Sequence, residues 1–578
     1  MNAHPEVLVQ LRNKLVADVD SFNVLEDTTK HPERLGCGGP PESSGRGMQE
    51  ERRRRTREAP QVPERGEAMK PTELGHGRVK SPETACARVE GSNRECSGRL
   101  ETAACRRGVL SGIVVGGWES QPQGEGPDGS TQPAKETCAG HVGPGQHEPT
   151  SLRAIAKRAR ACKHHRFRDL YREVNAELLL HCWYALNKDA ASGVDGLTAA
   201  AYGENLTANL ANLVERVKAK RYRAKLVRRV YIPKENGKQR PLGIPALEDK
   251  LVQLACAKLL TAIYEGDFLD CSYGYRPGRS AKEAVCDLTF YLQYGSYGYL
   301  VEADIRGFFD HMEHEWLLEM LSLRIDDRAF VQLIRKWLKA GILETDGQVL
   351  HPGAGTPQGG IVSPVLANLY LHHVLDLWFE RVVRPRCRGE ALLCRYADDF
   401  VCAFRYREDA NRFFAALPRR LGKFGLEAAS EKTRVVRFSR FHPSMKRRVT
   451  FLGFELYWFW DRKGEPRVMR RTARRKLQRA CRRIKEWIKC NRHRPGRELI
   501  RGLNRRLLGH YNYYGLRGNS RSLWRFYQWA MDCAYKWLNR RGGKRRSFTW
   551  SAFARAVEKL GIAKPRITER SYARRVFA

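Results

Sequence analysis

The sequence is short of negative charge. Only 64 Asp and Glu stand against 104 Lys and Arg in 578 residues, a formal charge of +40. That deficit argues against a small-molecule enzyme with no polymer partner. It points to a phosphate-rich partner, either nucleic acid or an anionic membrane surface. Paired cysteines are lacking as well. The 16 cysteines are scattered from Cys37 to Cys533 and none forms a C-x-x-C pair. A secreted disulfide scaffold and a zinc ribbon are therefore not expected; reduced thiols of a cytosolic protein are. No stretch reaches the ~18 uninterrupted apolar residues of a membrane-spanning helix. The nearest, Pro364 to Phe379, is broken by Asn368, His372, His373 and Asp376. No charged start followed by an apolar run opens the chain, so no signal peptide is expected.

What is present is uneven. The length suits three to four domains of roughly 150 residues. Residues 1–150 carry 20 basic and 22 acidic residues, with 13 of the 26 prolines and 20 of the 50 glycines. Such a segment buries too little apolar surface to offset its ordering entropy and reads as a mostly disordered extension. Within it only Glu6–Val19 has helical spacing, with Leu8, Leu11 and Leu15 on one face. Met48 and Met69 leave a later translation start open as an alternative. Residues 151–470 are +16 (53 basic, 37 acidic), and residues 471–578 are +26 (31 basic, 5 acidic).

From Ser151 the pattern alternates. Ser151–Leu186 and Tyr202–Lys218 read as helical. Ala224–Pro233 and Arg240–Ile244 read as a hairpin around Lys234–Lys238. Helix is expected over Glu248–Tyr264, strand over Tyr299–Ile305, and helix over Glu315–Leu323 and Ala329–Ala340. Leu392–Cys394 and Phe400–Phe404 are short apolar strands flanking a turn. Helix Asp409–Leu421 and strand Thr433–Phe438 come next, then helices only from Arg470.

Two acidic positions stand out. Asp304 ends an apolar strand, and Asp398-Asp399 lie in the turn of a tight hairpin. If the two meet in one sheet, three carboxylates could hold two Mg²⁺ ions about 4 Å apart, suited to in-line phosphoryl transfer. An Asp-Asp turn alone is usually just solvated; its neighbours in sequence change the weight. Gly359 and Gly360 in Gly355–Pro364 allow close backbone approach to a ligand. Arg240, beside a strand, suits a triphosphate.

Together these segments resemble the group II intron reverse transcriptase/maturases, over roughly residues 151–568. The motifs are Ser192–Gly196, Tyr231-Ile-Pro-Lys234 with Arg240–Pro245, Ser272–Gly278, Asp304–Asp310, Thr356–Pro364, Tyr396–Asp399, Gly425–Thr433 and Phe451–Phe454. Each is weak or moderate alone; eight in the family order are specific. One departure is Ala428-Ala429-Ser430 before Glu431, where the family often has Pro. The resemblance implies an α+β right-hand polymerase, with fingers and palm carrying antiparallel sheet over 151–468. A helical thumb/maturase domain would span 469–542 and a basic tail of the maturase region 543–578, behind the extension 1–150. It implies Asp304, Asp398 and Asp399 as catalytic metal ligands and Phe309 as a steric gate against 2′-hydroxyls. Arg240, Gln358, Lys250 and Lys432 would be nucleotide contacts.

The last region interleaves aromatics with its charge. Arg470–Lys489 has Leu477, Ala480, Ile484, Trp487 and Ile488 on one face and basic residues elsewhere. A basic amphipathic helix can also lie on a membrane, but a net +26 over 108 residues repels itself unless a polyanion neutralises it. Gly509–Gly515, Tyr535–Arg540, Ser547–Trp550 and Lys564–Ile567 resemble the thumb and maturase domain of the same family. The resemblance implies binding to the folded intron RNA. The expected RNA contacts are Arg474, Arg475, Lys476, Arg505, Arg506, Tyr513 and Tyr514. His311-x-x-His314 lacks further ligands, and nothing after Ile567 supplies the HNH nuclease of many members, so no second-strand cleavage is expected. The expected partners are group II intron RNA, an RNA template with DNA primer, dNTPs and target DNA, with no membrane, in the cytoplasm. The alternatives are a non-catalytic RNA-binding splicing cofactor and a host-adapted reverse transcriptase of a defence locus.

Overall fold

The computed structural model describes residue 10 and residues 13–15, 149–233, 239–540 and 547–569. The chain divides into two units, of which His31–Val114 lies wholly outside the described residues. The expectation of a disordered extension over 1–150 also lies almost entirely outside them. All described residues belong to the other unit, Met1–Lys30 with Val115–Ala578. Gln10 and Asn13–Leu15 are helical, inside the segment whose leucine spacing predicts helix. Leu15 is fully buried, and its carbonyl accepts a hydrogen bond from Arg420 Nη2 at 2.5 Å.

The architecture mixes helices with sheets that are antiparallel in all but one strand pairing. Strand β1 (Val227–Pro233) pairs antiparallel with β2 (Gln239–Ile244), the expected hairpin, whose turn 234–238 lies outside the described residues. In the central sheet β3 is Tyr299–Ala303, and β4 (Ile305–Arg306) comes directly after it. Strands β5 (Ile342–Leu343) and β6 (Val349–Leu350) complete the first sheet in the order β2-β1-β5-β6, with β1 and β5 parallel. Strands β7 (Ala391–Tyr396), β8 (Asp399–Phe404) and β10 (Arg434–Arg437) join β3 in the order β10-β3-β8-β7, all antiparallel. Strand β9 (Glu427–Ala428) pairs with β4.

The central sheet is apolar on both faces because both are covered. Val301, Phe400, Cys402 and Phe404 face a large core with Phe413 and Leu417 of helix Arg407–Gly422. Leu300, Val401 and Ala403 face a second core with Ala284, Val285 and Leu288 of helix Ala281–Tyr294. That helix opens on a capping box, Ser280 with Glu283. The second core continues into a three-stranded meander, β11 (Val449–Phe451), β12 (Phe454–Trp460) and β13 (Pro466–Thr472).

Several local expectations are corrected. Ser151–Leu186 is two helices, Thr150–Ala161 and Ala176–Ala185, and Asp169 between them takes a left-handed φ of 60°. The second helix is capped by Asn175, whose Oδ1 accepts from the Leu178 amide. Helices do not begin at Arg470, because β13 pairs through to Thr472. Residues 547–569 are not a tail. Phe553 and Val557 of helix Trp550–Lys559 and Ile562 enter one core with helices Arg474–Asn491, Gly496–Tyr514 and Ser520–Leu538. In that core Ile500, Leu503, Leu507 and Tyr511 form the buried stripe of an amphipathic helix. The chain then straps back. The Thr568 amide donates to the Gly515 carbonyl at 2.8 Å, and Glu569 accepts from Arg470 Nη2 at 3.1 Å.

The apolar stretch Pro364–Phe379 is interior. It forms helix Ser363–Leu371 and continues through π-helical turns, with Leu366, Tyr370, Val374 and Trp378 buried. Among the described residues no helix is long and apolar enough to cross a membrane.

Candidate active site

Strand register brings together three carboxylates that are 94 positions apart in sequence, Asp304 to Asp398. Tyr396 pairs with Asp399, closing a two-residue turn of Ala397 and Asp398. Ala397 holds a left-handed φ of 55°, which suits hairpin turns but is costly for a residue with a Cβ. Ala303 pairs with Phe400, so Asp304, one residue further, comes level with Asp399.

The electrostatics agree with that register. Burial pushes the Asp399 carboxyl up to about 7, helped by the neighbouring charges of Asp398 and Asp304 and a hydrogen bond with Asp304. The Asp399 residue is nevertheless exposed, so a ligand can reach it. Burial also raises Asp398, with Arg240 and Lys432 pulling the other way. Lys432 Nζ pairs with Asp304, which raises the lysine. Among the described residues no three His, Cys, Asp or Glu side chains close into a metal-ligand cluster. The carboxylates share one field, with the Lys432 ammonium neutralising one of them. Their chemistry fits a hard divalent cation, which takes oxygen ligands and would relieve the mutual repulsion.

Of the expected nucleotide-facing residues, Lys432 and Arg240 act on the carboxylates directly, and Phe309 and Gln358 are positioned by neighbouring backbone. Gly307, at φ 53°, breaks the strand and starts the short turn Phe308–His311. Phe309 is half-buried, edge-to-face with Phe308 at 5.3 Å, and its carbonyl accepts from the Thr356 amide at 2.8 Å. The Gly355–Gly360 loop laces that turn to β2. Gly355, at φ 84°, lies so close to Asp310 that a Cβ would stand 2.6 Å from its carbonyl oxygen. The Gln358 carbonyl accepts from the Gly243 amide at 2.7 Å. A Cβ on Gly359 would meet the Gly243 oxygen at 2.3 Å. Buried Gln253 holds the loop through Oε1 and the Ile361 amide at 2.9 Å. Arg240, opposite Ile232 in the hairpin, is exposed, and its charge reaches Asp398.

Lys250 does not join them. It is buried, and its Nζ donates to the Ala191 carbonyl at 2.6 Å, tying the Ser192–Gly196 turn to its helix. Desolvation lowers its pKa. The expected RNA contacts also separate. Arg474, Arg475, Lys476, Arg505 and Tyr513 are exposed. Arg506 is half-buried over Trp487 at 4.0 Å, and Tyr514 packs on Phe454 at 5.2 Å against the second core.

Three residues at the site escape sequence reasoning. Tyr275 has a left-handed φ of 58° and is 42% exposed. Arg395 and Asp376 form a fully buried ion pair behind the hairpin. Asp376 had left a trace, as one of the polar residues interrupting an otherwise apolar helix.

The reverse transcriptase (RNA-dependent DNA polymerase) family profile matches residues 232–456, which contain the central sheet and all three carboxylates. The chain belongs to the reverse transcriptase family. Protein YkfC of Escherichia coli K12 is 33% identical over 315 residues, covering 48% of this chain and 78% of that protein. The group II intron-encoded protein LtrA of Lactococcus lactis is 43% identical over 190 residues, covering 32% of this chain and 31% of LtrA. Nuclear intron maturase 4 of Arabidopsis thaliana is 26% identical over 151 residues, 26% of this chain and 18% of that protein. Within the family the chain stands with the group II intron-encoded reverse transcriptase/maturases. It matches less than a third of LtrA's length.

Proposed function

We propose that the protein is an RNA-directed DNA polymerase that extends a DNA primer on an RNA template, and a maturase that binds its group II intron RNA. The observation that carries the polymerase half is the register that sets Asp304 level with the Asp398–Asp399 hairpin. In this reading residues 151–468 are fingers and palm and the C-terminal helices are thumb and maturase domain. Asp304, Asp398 and Asp399 would hold two Mg²⁺ ions. Divalent ions bound there supply charge stabilisation for the attacking and leaving oxygens of phosphoryl transfer.

The chain's own residues do the rest. Arg240 grips the triphosphate of a dNTP through its guanidinium fork. Phe309, fixed through its carbonyl by Thr356, crowds the 2′ position. Gln358 and its loop line the nucleotide. Lys432 neutralises Asp304. Arg474, Arg475, Lys476, Arg505 and Tyr513 meet RNA, and target DNA is the substrate for mobility. The protein acts in the cytoplasm.

The test is Mg²⁺-dependent cDNA synthesis on a primed RNA. Asp398→Ala should abolish it at unchanged Tm; undiminished synthesis would refute the assignment. Splicing of the cognate intron by the same variant separates the two halves. Retained splicing places RNA binding outside the carboxylate site, as the +26 of residues 471–578 suggests.

A further inference from the structure

The loop Ser272–Gly278 is pinned from both sides and holds one bulky exposed residue, Tyr275, in a left-handed conformation beside the Ala397–Asp398 turn. On one side, Arg395 exchanges backbone bonds with the loop. The Tyr273 amide donates to the Arg395 carbonyl at 2.9 Å, and the Arg395 amide to the Cys271 carbonyl at 2.8 Å. Gly274 lies directly on the hairpin turn; a Cβ there would stand 2.4 Å from the Ala397 nitrogen. Its carbonyl accepts from Asn368 Nδ2 at 2.6 Å. On the other side, buried Arg276 grips Glu265 at 2.8 Å and donates to the Leu269 and Ser272 carbonyls at 2.7 and 2.8 Å.

Between these anchors sits Tyr275, at φ 58°. A bulky side chain in the left-handed region is a genuine outlier, and such strain persists only where the surroundings over-determine it. The residue is 42% exposed, so its fit into the protein is only partial. Burial is the largest influence on its phenol, and the fields of Asp398, Asp399 and Arg240 also reach it. The ring is thus held at a conformational cost beside the hairpin turn that its neighbour Gly274 touches.

We infer that Tyr275 is a substrate-contacting residue whose ring forms the wall on which the incoming nucleotide seats between Arg240 and the Asp398–Asp399 hairpin. This rests on the polymerase reading above. An aromatic face offers sequence-tolerant contact to any nucleotide, which a polymerase needs. A contact made equally before and during the chemical step affects KM more than kcat.

The experiment is single-nucleotide incorporation by the full chain on a primed RNA, with thermal unfolding of each variant. Tyr275→Ala should raise the dNTP KM about tenfold, in keeping with loss of one aromatic–base contact, with kcat within about threefold. Tyr275→Phe should stay near wild type. Tyr275→Gly removes the strain along with the ring, so it should show the same KM defect with a Tm at or above that of Tyr275→Ala. Unchanged KM in the Ala and Gly variants, beside normal extension by wild type, would overturn this inference alone. So would a Tm loss with no kinetic change, since that marks a structural wedge. Absence of extension by wild type would overturn the polymerase reading and this inference with it.

Discussion

Arg395 offers a way to separate what folds the hairpin from what makes it work. Its side chain and that of Asp376 are both 0% exposed. All five guanidinium N–H groups find acceptors. Nε and Nη2 take the Asp376 carboxylate at 2.7 and 2.6 Å, and Nη2 also reaches Ser272 Oγ at 2.7 Å. Nη1 takes Asn368 Oδ1 and the Ala397 carbonyl, both at 3.1 Å. Arg395→Met keeps most of the volume but leaves a buried carboxylate without its counter-charge. Breaking such a pair from one side costs about 3–5 kcal/mol. At roughly 1 °C per kcal/mol for a unit of some 400 residues, the Tm should fall by about 4–5 °C. Replacing both partners, Arg395→Met with Asp376→Leu, removes the orphaned charge and should recover most of that loss. Activity should not recover. Both variants lose the donor on the Ala397 carbonyl, and Ala397 sits in a conformation costing about 1–3 kcal/mol. Without that bond the turn relaxes and Asp398 moves. Incorporation assayed well below Tm should therefore fall more than about tenfold in both, since a displacement of an ångström at a catalytic group has that scale of effect. A single-variant Tm loss under about 2 °C, or a double variant as unstable as the single one, would refute the buried-pair argument. A stable double variant with full activity would refute the positioning argument.

Two further outcomes are expected. Burial pushes the His510 imidazole down to about 4; its Nε2 has no hydrogen-bond partner among the described residues, and the ring stacks on Phe526 at 3.9 Å. The unfolded chain takes up that proton near pH 6.5 and the folded chain does not. Stability is therefore complete above about pH 6.5 and falls as the pH drops toward about 4, by at most ~1.4 kcal/mol per pH unit. His510→Phe should flatten that part of a Tm-versus-pH curve, and an unchanged slope would count against it. At the other end of the chain, Leu15 is fully buried and its carbonyl meets buried Arg420. Leu15→Ala should cost about 2–5 kcal/mol in denaturant unfolding, and a chain begun at Met48 should lose at least as much. Equal stability of that shorter chain would make the N-terminal contact dispensable.

The parts of this molecule that are legible in sequence are those whose signal is local. Phe400-Val-Cys-Ala-Phe404 reads as a strand because covering both faces makes every position apolar. The Asp398–Asp399 turn is visible because short apolar runs flank it. Partnership across the fold is not written locally. Lys250 comes after a strand and opens a helix, a natural place for a phosphate contact, yet its ammonium is spent on a carbonyl 59 residues upstream. The 547–569 segment comes after a basic, glycine-containing stretch and so reads as a tail. Its apolar residues Phe553 and Val557 are four apart, a helical pair that matters only once three other helices are present to receive it.

The same distinction governs the site. Its charged residues stand out in sequence only through the company of eight motifs in a family order, since an Asp-Asp turn or a lone arginine is by itself usually just solvated. The residues that hold them do not stand out, because Arg395, Asn368 and Gly274 act through backbone groups that any residue carries. Gly274 is informative only beside Ala397, where a Cβ would have no room, and Tyr275 only when its φ is known. Positions where local preference and observed conformation disagree are where function is expected to have overridden folding. In this chain two such disagreements, Ala397 and Tyr275, flank a single glycine contact at the carboxylates. A substitution that relaxes either one should therefore be tolerated by the fold and felt by the chemistry.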